Sequence, residues 1–268
     1  GFLGQVGDDE FGRFLATTLD EYGVDTRGLR VTAEARTALA FVSRLPDGER
    51  DFMFYRHPSA DMLWRPEDVD LSCAAGTRVF HHGSISLISE PSCSATRAAI
   101  AAAQATGALI SYDPNIRLSL WPSAATARTV MLDALRRANI VKLSRDELAF
   151  LTGNDDPATG AARLQHDALR LLVVTDGAGG CDWFTANDVD HEAAVPVQAI
   201  DTTGAGDAFV AGLLVGLLET GLRFDRASVV SAVRLATATA ALTTTRRGAI
   251  PALPDRAAVD RLRPTVSG

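Results

Sequence analysis

Apolar runs alternate with alanine-rich segments along the chain. Segments of helical composition, such as residues 95–104 and 124–137, separate the apolar runs. Runs that are apolar at nearly every position indicate strands buried on both faces of a sheet. These runs are residues 78–81, 109–113, 140–143 and 170–175. Strands that alternate with helices predict an α/β fold with a mostly parallel sheet.

Two β-rich runs earlier in the chain flank a turn sequence. Residues 37–44 and 50–55 lie on either side of Pro46-Asp47-Gly48. Proline, aspartate and glycine are typical turn residues, so the two runs are predicted to form a β-hairpin. We expect this hairpin to belong to a small β lid at about residues 36–56.

Polar or small residues follow several of the predicted strands. Asp113, Ser144 and Gly177 lie at or just past strand carboxyl ends. Open α/β sheets bind ligands at this edge, so we expect these residues to converge on one site.

The segment from Asp201 to Asp207 has the composition of a helix N-terminus that binds an anion. Gly204 and Gly206 have no Cβ, so the backbone can turn tightly and a ligand oxygen can approach the amides. The N–H groups of a first helical turn and the helix dipole together favour a phosphate there. Asp207 adds a carboxylate able to accept a proton from an attacking hydroxyl. The alternative is a purely structural turn, since Asp and Thr are ordinary capping residues.

Composition limits the class of partner. The chain has 268 residues, of which 47% are hydrophobic, enough for one α/β domain over residues 1–268. A formal charge of -7 and a pI near 5.2 argue against nucleic acid and against an anionic membrane surface. We expect no segment to be apolar for long enough to span a bilayer. Cys73, Cys93 and Cys181 lack metal-binding spacing, so we expect reduced thiols in a cytoplasmic protein.

Lys142 is the one lysine of the chain. A phosphate-binding loop with a Gly-Lys-Ser/Thr motif is therefore excluded. Phosphate charge would be met instead by the helix start at residues 204–207, by Mg²⁺ and by Arg117. The alternative for Arg117 is a surface position at the start of a helix.

Several separated strings together identify a family resemblance. They are residues 55–63, 112–117, 174–177, 201–207 and 247–254. In this order they resemble the ribokinase-like (PfkB) carbohydrate kinase family, and residues 55–63 resemble the sugar-side segment of bacterial and plant fructokinases. The resemblance implies a three-layer α/β/α fold with a small β lid. It also implies transfer of the γ-phosphoryl group of ATP to the terminal primary hydroxyl of fructose, which gives fructose 6-phosphate.

Two other functions are compatible with the same strings. One is a 2-keto-3-deoxygluconate kinase, because residues 112–117 and Leu120-Trp121 also suit that group. The other is a catalytically silent, fructokinase-like binding module. The complete Gly204-Ala205-Gly206-Asp207 string argues against a silent protein, which needs no base beside an anion hole.

The resemblance implies roles in catalysis and sugar binding. Asp207 would be the catalytic base beside the amides of Gly204, Ala205 and Gly206. Capping and turn formation are the alternative roles of Asp61 and of the Asp113-Pro114-Asn115 string. The implied sugar-binding residues are Asp61, Asp113, Asn115, Arg117 and Asp207.

The resemblance also implies sites for ATP and for metal ions. Glu147 would hold the water shell of Mg²⁺, although Ser144 and Glu147 also have the spacing of a helix capping box. Thr237 stands where many relatives have asparagine, so we expect mostly apolar contacts with adenine. The implied nucleotide-binding residues are Ser144, Thr175, Gly177, Gly180, Gly206 and Thr237. The positions that match a K⁺ site are Asp201, Thr203, Thr243, Arg246, Gly248 and Ala252.

The N-terminal segment and the predicted lid give two further expectations. Residues 1–12 resemble a segment that follows the first strand in this family, so we expect a truncated chain that lacks one wall of the sugar pocket. Lid strands in the family often pair between subunits. A homodimer through the lid is therefore expected, with a monomeric hairpin as the alternative.

Overall fold

Strands and helices alternate along residues 1–44, 50–74 and 76–262, which the computed structural model describes. The N-terminal unit comprises residues 1–110 and 117–130, and the C-terminal unit comprises residues 111–116 together with the chain from residue 131 onward. The expectation of a single domain with a lid stays a prediction.

The N-terminal unit carries two small sheets and a helical core. Its elements are β1 (Gly4–Gly7), α1 (Glu10–Glu21), β2 (Leu29–Thr32), β3 (Leu39–Arg44), β4 (Arg50–Tyr55), α2 (Leu71–Ala74), β5 (Val79–His82) and α3 (Ser92–Ala105). Strands β1 and β2 pair in parallel, whereas β3 and β4 are antiparallel. Trp64 and Val69 pack against the buried Ala95 and Ala99 of α3.

The C-terminal unit contains most of a larger sheet. The division between the units falls within β6 (Leu109–Tyr112) and α4 (Ala124–Leu135). The remaining elements are β7 (Ile140–Ser144), α5 (Arg145–Thr152), α6 (Pro157–Leu164), β8 (Leu171–Thr175), β9 (Cys181–Phe184), β10 (Val189–Glu192), α7 (Ala205–Glu219), α8 (Arg226–Thr244) and α9 (Arg256–Leu262). The six-stranded sheet has the order β10-β9-β8-β7-β6-β5. Strands β6, β7 and β8 run parallel, and β9 and β10 continue the sheet in antiparallel fashion. The α/β prediction is confirmed.

The predicted hairpin strands pair with each other as β3 and β4. The Pro46-Asp47-Gly48 turn lies outside the described residues. Strand β3 begins at Leu39 rather than at residue 37, because Thr37 makes other hydrogen bonds. The N–H of Thr37 donates to Asp9 Oδ2 at 2.7 Å, and the Oγ1 of Thr37 accepts the N–H of Gly7 at 3.0 Å.

Glycines allow α7 and α8 to pack closely. A Cβ at Gly216 would lie 2.6 Å from the Cα of Ala232, and one at Gly212 would lie 2.7 Å from the Cα of Ala236. Such distances leave no room for a larger residue on this face of α7.

Helix α8 corrects one expectation from the sequence. By length and composition it is long and apolar enough to cross a bilayer, contrary to the expectation that no segment is. Its threonines, serines and arginines lower its mean hydropathy. Half of its most apolar window is buried within the protein, and core helices of soluble proteins meet the same criterion.

Candidate active site

The loop that follows β6, called here the Asp113 loop (residues 113–116), carries a buried carboxylate. Asp113 is 4% exposed. Its Oδ1 accepts the N–H of Asn115 at 3.1 Å, which closes a tight turn. Asn115 has a φ of 47°, a left-handed conformation that asparagine tolerates better than most residues. The structure therefore supports the turn interpretation of the Asp113-Pro114-Asn115 string, while its contact with a sugar stays a prediction.

Lys142 is the main residue that sequence reasoning left out of the site. It lies in the middle of β7, and its Nζ donates to Asp113 Oδ2 at 3.1 Å. The Nζ is also close to the start of α7, since a Cβ built on Gly206 would lie 3.4 Å from it. Burial raises the pKa of the Asp113 carboxyl, the Lys142 ammonium opposes this rise, and the charge of Asp207 adds to it. The sequence feature that could have identified Lys142 is its position as a lone lysine within the apolar run of residues 140–143. A buried ammonium requires a partner, so such a lysine indicates a buried acidic group nearby.

Glu147 connects the Asp113 loop to the start of α5. Its Oε2 accepts the N–H of Ser144 at 2.7 Å, and the Ser144 hydroxyl accepts the N–H of Glu147 at 3.1 Å. The capping box is thus complete. The other carboxylate oxygen, Oε1, accepts the N–H of Ile116 at 2.9 Å. Glu147 therefore holds both the helix start and the Asp113 loop, a link that the sequence spacing did not predict.

The turn before α7, called here the α7 turn (residues 201–207), has the predicted helix-start geometry. Gly204 is the N-cap residue with a φ of 76°, which a residue with a Cβ adopts only at a cost. The N–H of Ala205 donates to the carbonyl of Thr202 at 3.2 Å, so this amide contributes to the turn. Gly206 and Asp207 occupy the next two positions of the first turn, where N–H groups have no partner within the helix. The Asp207 side chain is exposed and accessible to a substrate.

Asp201 ties the α7 turn to the segment that follows α8. Its Oδ1 accepts the N–H of Thr203 at 3.0 Å and the hydroxyl of Thr203 at 2.7 Å. Its Oδ2 accepts the N–H of Gly248 at 3.2 Å. The N–H of Asp201 also donates to the carbonyl of Thr244 at 3.0 Å. The structure thus brings these candidate cation-site residues together and gives Asp201 the turn-stabilising role proposed as its alternative.

The remaining candidate cation-site residues contribute mainly backbone geometry. Thr243 is fully buried and donates its hydroxyl to the carbonyl of Thr239 at 2.9 Å. The carbonyl of Thr243 accepts the N–H of Arg246 at 3.4 Å. Ala252 is buried in a short turn after Gly248. These contacts define the fold of the segment, and K⁺ binding stays a prediction.

A cavity of about 570 Å³ in the C-terminal unit joins most of the predicted nucleotide residues. Its walls come from the turn after β8, the segment after β10, the start of α7 and one face of α8. The predicted residues that line it are Thr175, Gly177, Gly180, Gly206 and Thr237. Residues 194–197 form another wall, and no motif in this segment predicted that role. Ser144 does not line this cavity and acts in the capping box instead.

The polar groups of the cavity wall are already engaged with the backbone. Thr237 donates its hydroxyl to the carbonyl of Val233 at 2.9 Å, and Thr175 donates its hydroxyl to the carbonyl of Leu143 at 3.2 Å. A Cβ at Gly180 would lie 2.2 Å from the carbonyl oxygen of Glu192, so only glycine fits this turn. The wall therefore offers mainly apolar surface to a ligand, as the sequence predicts for adenine contacts.

The predicted sugar-binding residues of the N-terminal unit are held by local contacts. Asp61 Oδ2 accepts Nε and Nη2 of the buried Arg56 at 2.9 and 2.5 Å, and Oδ1 accepts the Ser59 hydroxyl at 2.5 Å. Arg56 was not singled out from the sequence, although it lies within residues 55–63. Arg117 is half-buried and precedes a 3₁₀ turn over Leu118–Leu120, while its contact with a phosphate or sugar stays a prediction.

Comparisons with known proteins find carbohydrate kinases that match most of the chain. The model of the pfkB family carbohydrate kinases matches residues 1–256. The chain is 48% identical over 265 residues to probable fructokinase-7 of Arabidopsis thaliana, covering 97% of this chain and 77% of that protein.

The solved structures that are similar to this chain include two fructokinases. The ATP-bound fructokinase of Xylella fastidiosa has a TM-score of 0.90 and 37% identity, covering 97% of this chain and 84% of that one. The fructokinase of Vibrio cholerae O395 with fructose, ADP and calcium has a TM-score of 0.87 and 37% identity, covering 98% and 85%. The chain belongs to the pfkB family of carbohydrate kinases.

Proposed function

We propose that this kinase transfers the γ-phosphoryl group of ATP to the terminal primary hydroxyl of fructose and so forms fructose 6-phosphate. The observation that carries the proposal is the position of Asp207, which directly follows Gly206 at the wall of the 570 Å³ cavity. A base next to a helix start that faces a nucleotide-sized cavity is the arrangement that phosphoryl transfer requires. Relatives named fructokinases support fructose as the acceptor.

Asp207 is the proposed general base. It would accept the proton of the sugar hydroxyl as that oxygen attacks the γ-phosphorus. The amides of the first turn of α7 would stabilise the charge that develops on the phosphoryl oxygens. Because this transition state is loose, positioning and charge stabilisation would supply most of the rate acceleration.

Sugar-binding residues are proposed within each unit. Asn115 and Asp61 are the proposed hydrogen-bonding residues, with Asp113 holding the turn that presents Asn115. Asp61 is fixed by Arg56, so its carboxylate is pre-organised before a sugar binds. Arg117 is proposed to contact a phosphate or a sugar hydroxyl.

The residues present fit a divalent metal only through water. Both oxygens of Glu147 already accept backbone N–H groups, so inner-sphere coordination would break these bonds. A carboxylate has further lone pairs that can hold metal-bound water, and Mg²⁺ usually keeps several waters. The proposed substrate is thus Mg-ATP, whose metal neutralises phosphate charge. K⁺ beside Asp201 is a further proposal, carried by backbone carbonyls of the same segment.

The proposal extends to assembly and location. Phe41 and Tyr55 are exposed on the β3–β4 hairpin and contact each other edge to face at 5.5 Å between ring centroids. Val42 and Met53 are also about half exposed. This apolar surface supports a homodimer through the hairpin. Reduced cysteines support a cytoplasmic location, and the acidic charge favours a small-molecule substrate over nucleic acid or a membrane.

The test is ADP release coupled to a spectrophotometric assay, with Mg-ATP and fructose, ketodeoxygluconate, ribose or glucose. We expect fructose to give the highest kcat/KM, and Asp207→Asn to lower kcat by about 10²–10⁴-fold. Asp146→Asn is the matched control, because Asp146 is an exposed aspartate in the first turn of α5. A higher kcat/KM with ketodeoxygluconate than with fructose would show that ketodeoxygluconate is the substrate. A lack of turnover with every sugar would support the binding-module alternative.

A further inference from the structure

We propose that Lys142 acts directly in phosphoryl transfer: its ammonium group, oriented by Asp113, supplies positive charge to the transferred phosphoryl group beside Gly206. This inference rests on the proposed kinase reaction. It assigns a catalytic role to a residue that the sequence motifs leave unassigned.

The position of Lys142 is rigid. Strand β7 is paired in parallel with β6 and β8, and Lys142 lies opposite Val173 of β8. Its side chain is 10% exposed, and its Nζ donates to Asp113 Oδ2 at 3.1 Å. Flanking residues Val141 and Leu143 are fully buried, so the backbone cannot shift to move the ammonium. The charge is therefore fixed where the sheet places it.

The ammonium is directed towards the start of α7. A methyl group on Gly206 would lie 3.4 Å from Nζ, which is ordinary contact distance. Gly206 also lines the cavity proposed for ATP. Because Gly206 has no Cβ, no side chain at this position stands between the ammonium and the cavity wall. A phosphoryl group bound at the α7 turn would thus lie within reach of Lys142.

A structural ion pair alone explains this arrangement poorly. Burying an ammonium and a carboxylate costs solvation energy, and apolar residues of similar size are often as stable in such a position. An ammonium has three N–H donors, and Asp113 is its one hydrogen-bond acceptor among the residues that the structure describes. The remaining donors are available to phosphoryl oxygens.

Charge balance supports the same role. The charge of Asp207 raises the pKa of the Asp113 carboxyl. A phosphoryl group bound at the α7 turn would bring more negative charge to this region. Lys142 is the one lysine of the chain and supplies the opposite charge at this place. A compact ammonium is suited to one or two phosphoryl oxygens, as in other phosphate sites.

The experiment compares single and double substitutions in the full chain. Lys142→Gln keeps a donor for Asp113 but removes the charge, and we expect kcat to fall by about 10²–10³-fold with less than a threefold change in the Kd of Mg-ATP. Lys142→Arg keeps the charge and should retain more activity than Lys142→Gln. Arg137→Met removes a positive charge from an exposed ion pair with Asp133 and should leave kcat unchanged.

A double variant in which both residues are neutral distinguishes an effect on catalysis from an effect on folding. The Asp113→Asn/Lys142→Gln variant contains no unpaired buried charge, so it should fold even if Lys142→Gln does not. We expect its melting temperature to approach that of the wild type while kcat stays at least 10²-fold lower. Recovery of kcat in this double variant would overturn the inference, because Lys142 would then serve only to neutralise Asp113.

The wild-type protein is assayed first, with the four sugars named above. If both the wild type and the Asp113→Asn/Lys142→Gln variant are active, the role of Lys142 is rejected and the kinase proposal stands. An inactive wild type would reject the kinase proposal and the role of Lys142 with it. The two failures are thus distinguishable.

Discussion

The Asp113 loop and the α7 turn are held in place in different ways. The Asp113 loop depends on buried charged side chains from elsewhere in the chain, namely Lys142 on Asp113 and Glu147 on the N–H of Ile116. The α7 turn depends on backbone conformation, with Gly204 in the left-handed region and Asp201 accepting the N–H groups of Thr203 and of the distant Gly248. One region is therefore fixed by buried charged side chains, and the other by backbone conformation and the contacts of one aspartate.

This difference predicts different consequences of substitution. Changes in the Asp113 loop and its partners should affect stability and catalysis together, because the groups that position the loop are buried. Exposed residues of the α7 turn should affect catalysis with little loss of stability.

Asp207→Asn should give the largest kinetic effect with the smallest structural cost. We expect the loss in kcat of about 10²–10⁴-fold described above. The free energy of unfolding should change by less than about 0.5 kcal/mol, because the side chain is exposed. Urea unfolding, run beside Asp146→Asn, measures this change. A loss of several kcal/mol would show that Asp207 holds the turn as well, and the contrast between the two regions would fail.

Glu147→Gln tests the long-range contacts of the Asp113 loop. Glutamine offers one carbonyl oxygen where Glu147 uses two, so either Ser144 or Ile116 loses its acceptor. We expect a loss of about 1–3 kcal/mol in the free energy of unfolding and a higher KM for fructose. Urea unfolding and initial-rate kinetics measure the two effects.

Ser144→Ala is the matched control for Glu147→Gln. It removes the side-chain half of the capping box at a cost of about 1 kcal/mol and leaves the Ile116 bond intact. Equal KM values in the two variants would limit Glu147 to helix capping. A higher Mg²⁺ requirement in Glu147→Gln alone would instead support the outer-sphere metal role.

Gly204→Ala tests the local geometry of the α7 turn. A φ of 76° costs a residue with a Cβ about 1–2 kcal/mol, and the new methyl group would also lie 3.3 Å from Ala249. Gly221→Ala is the control, because Gly221 lies just after the same helix with a φ of 73° and open space around its Cα. Both variants should lose similar stability in thermal melts, but only Gly204→Ala should lower kcat. An equal loss of kcat in both would point to a general effect on α7.

The same contrast explains what the sequence could and could not predict. The apolar runs at residues 109–113, 140–143 and 170–175 match β6, β7 and β8 within one residue at each end. Strand β1, by contrast, has the sequence Gly-Gln-Val-Gly, which carries no apolar run. Strands β9 and β10 alternate in burial, and their short length gives a weak pattern.

Sequence reasoning was most informative where the geometry is local. Gly204, Gly206 and Asp207 are adjacent in the chain, so their helix-start geometry follows from residue type. The contact of Lys142 with Asp113 is different, because it depends on two strands lying side by side in the sheet. The hydrogen bond from Ile116 to Glu147 also joins distant parts of the chain. No short motif encodes such pairs, so they required the structure.

Thr237→Val should give the smallest effect. The Thr237 hydroxyl donates to Val233 within α8, so it has no free donor to offer to adenine. Valine has nearly the same shape and keeps the apolar cavity wall intact. We expect less than a threefold change in the KM for ATP and a change in stability below about 1 kcal/mol.

Gly180→Ala, on another wall of the same cavity, is the contrasting variant for Thr237→Val. Its new Cβ would lie 2.2 Å from the carbonyl oxygen of Glu192, so the turn that lines the cavity must shift. We expect this backbone change to weaken ATP binding well beyond any effect of Thr237→Val. Isothermal titration with Mg-ATP compares the two directly. If Thr237→Val weakens binding tenfold while Gly180→Ala does not, the hydroxyl contacts the nucleotide, and this wall of the cavity recognises its ligand through side chains rather than through shape.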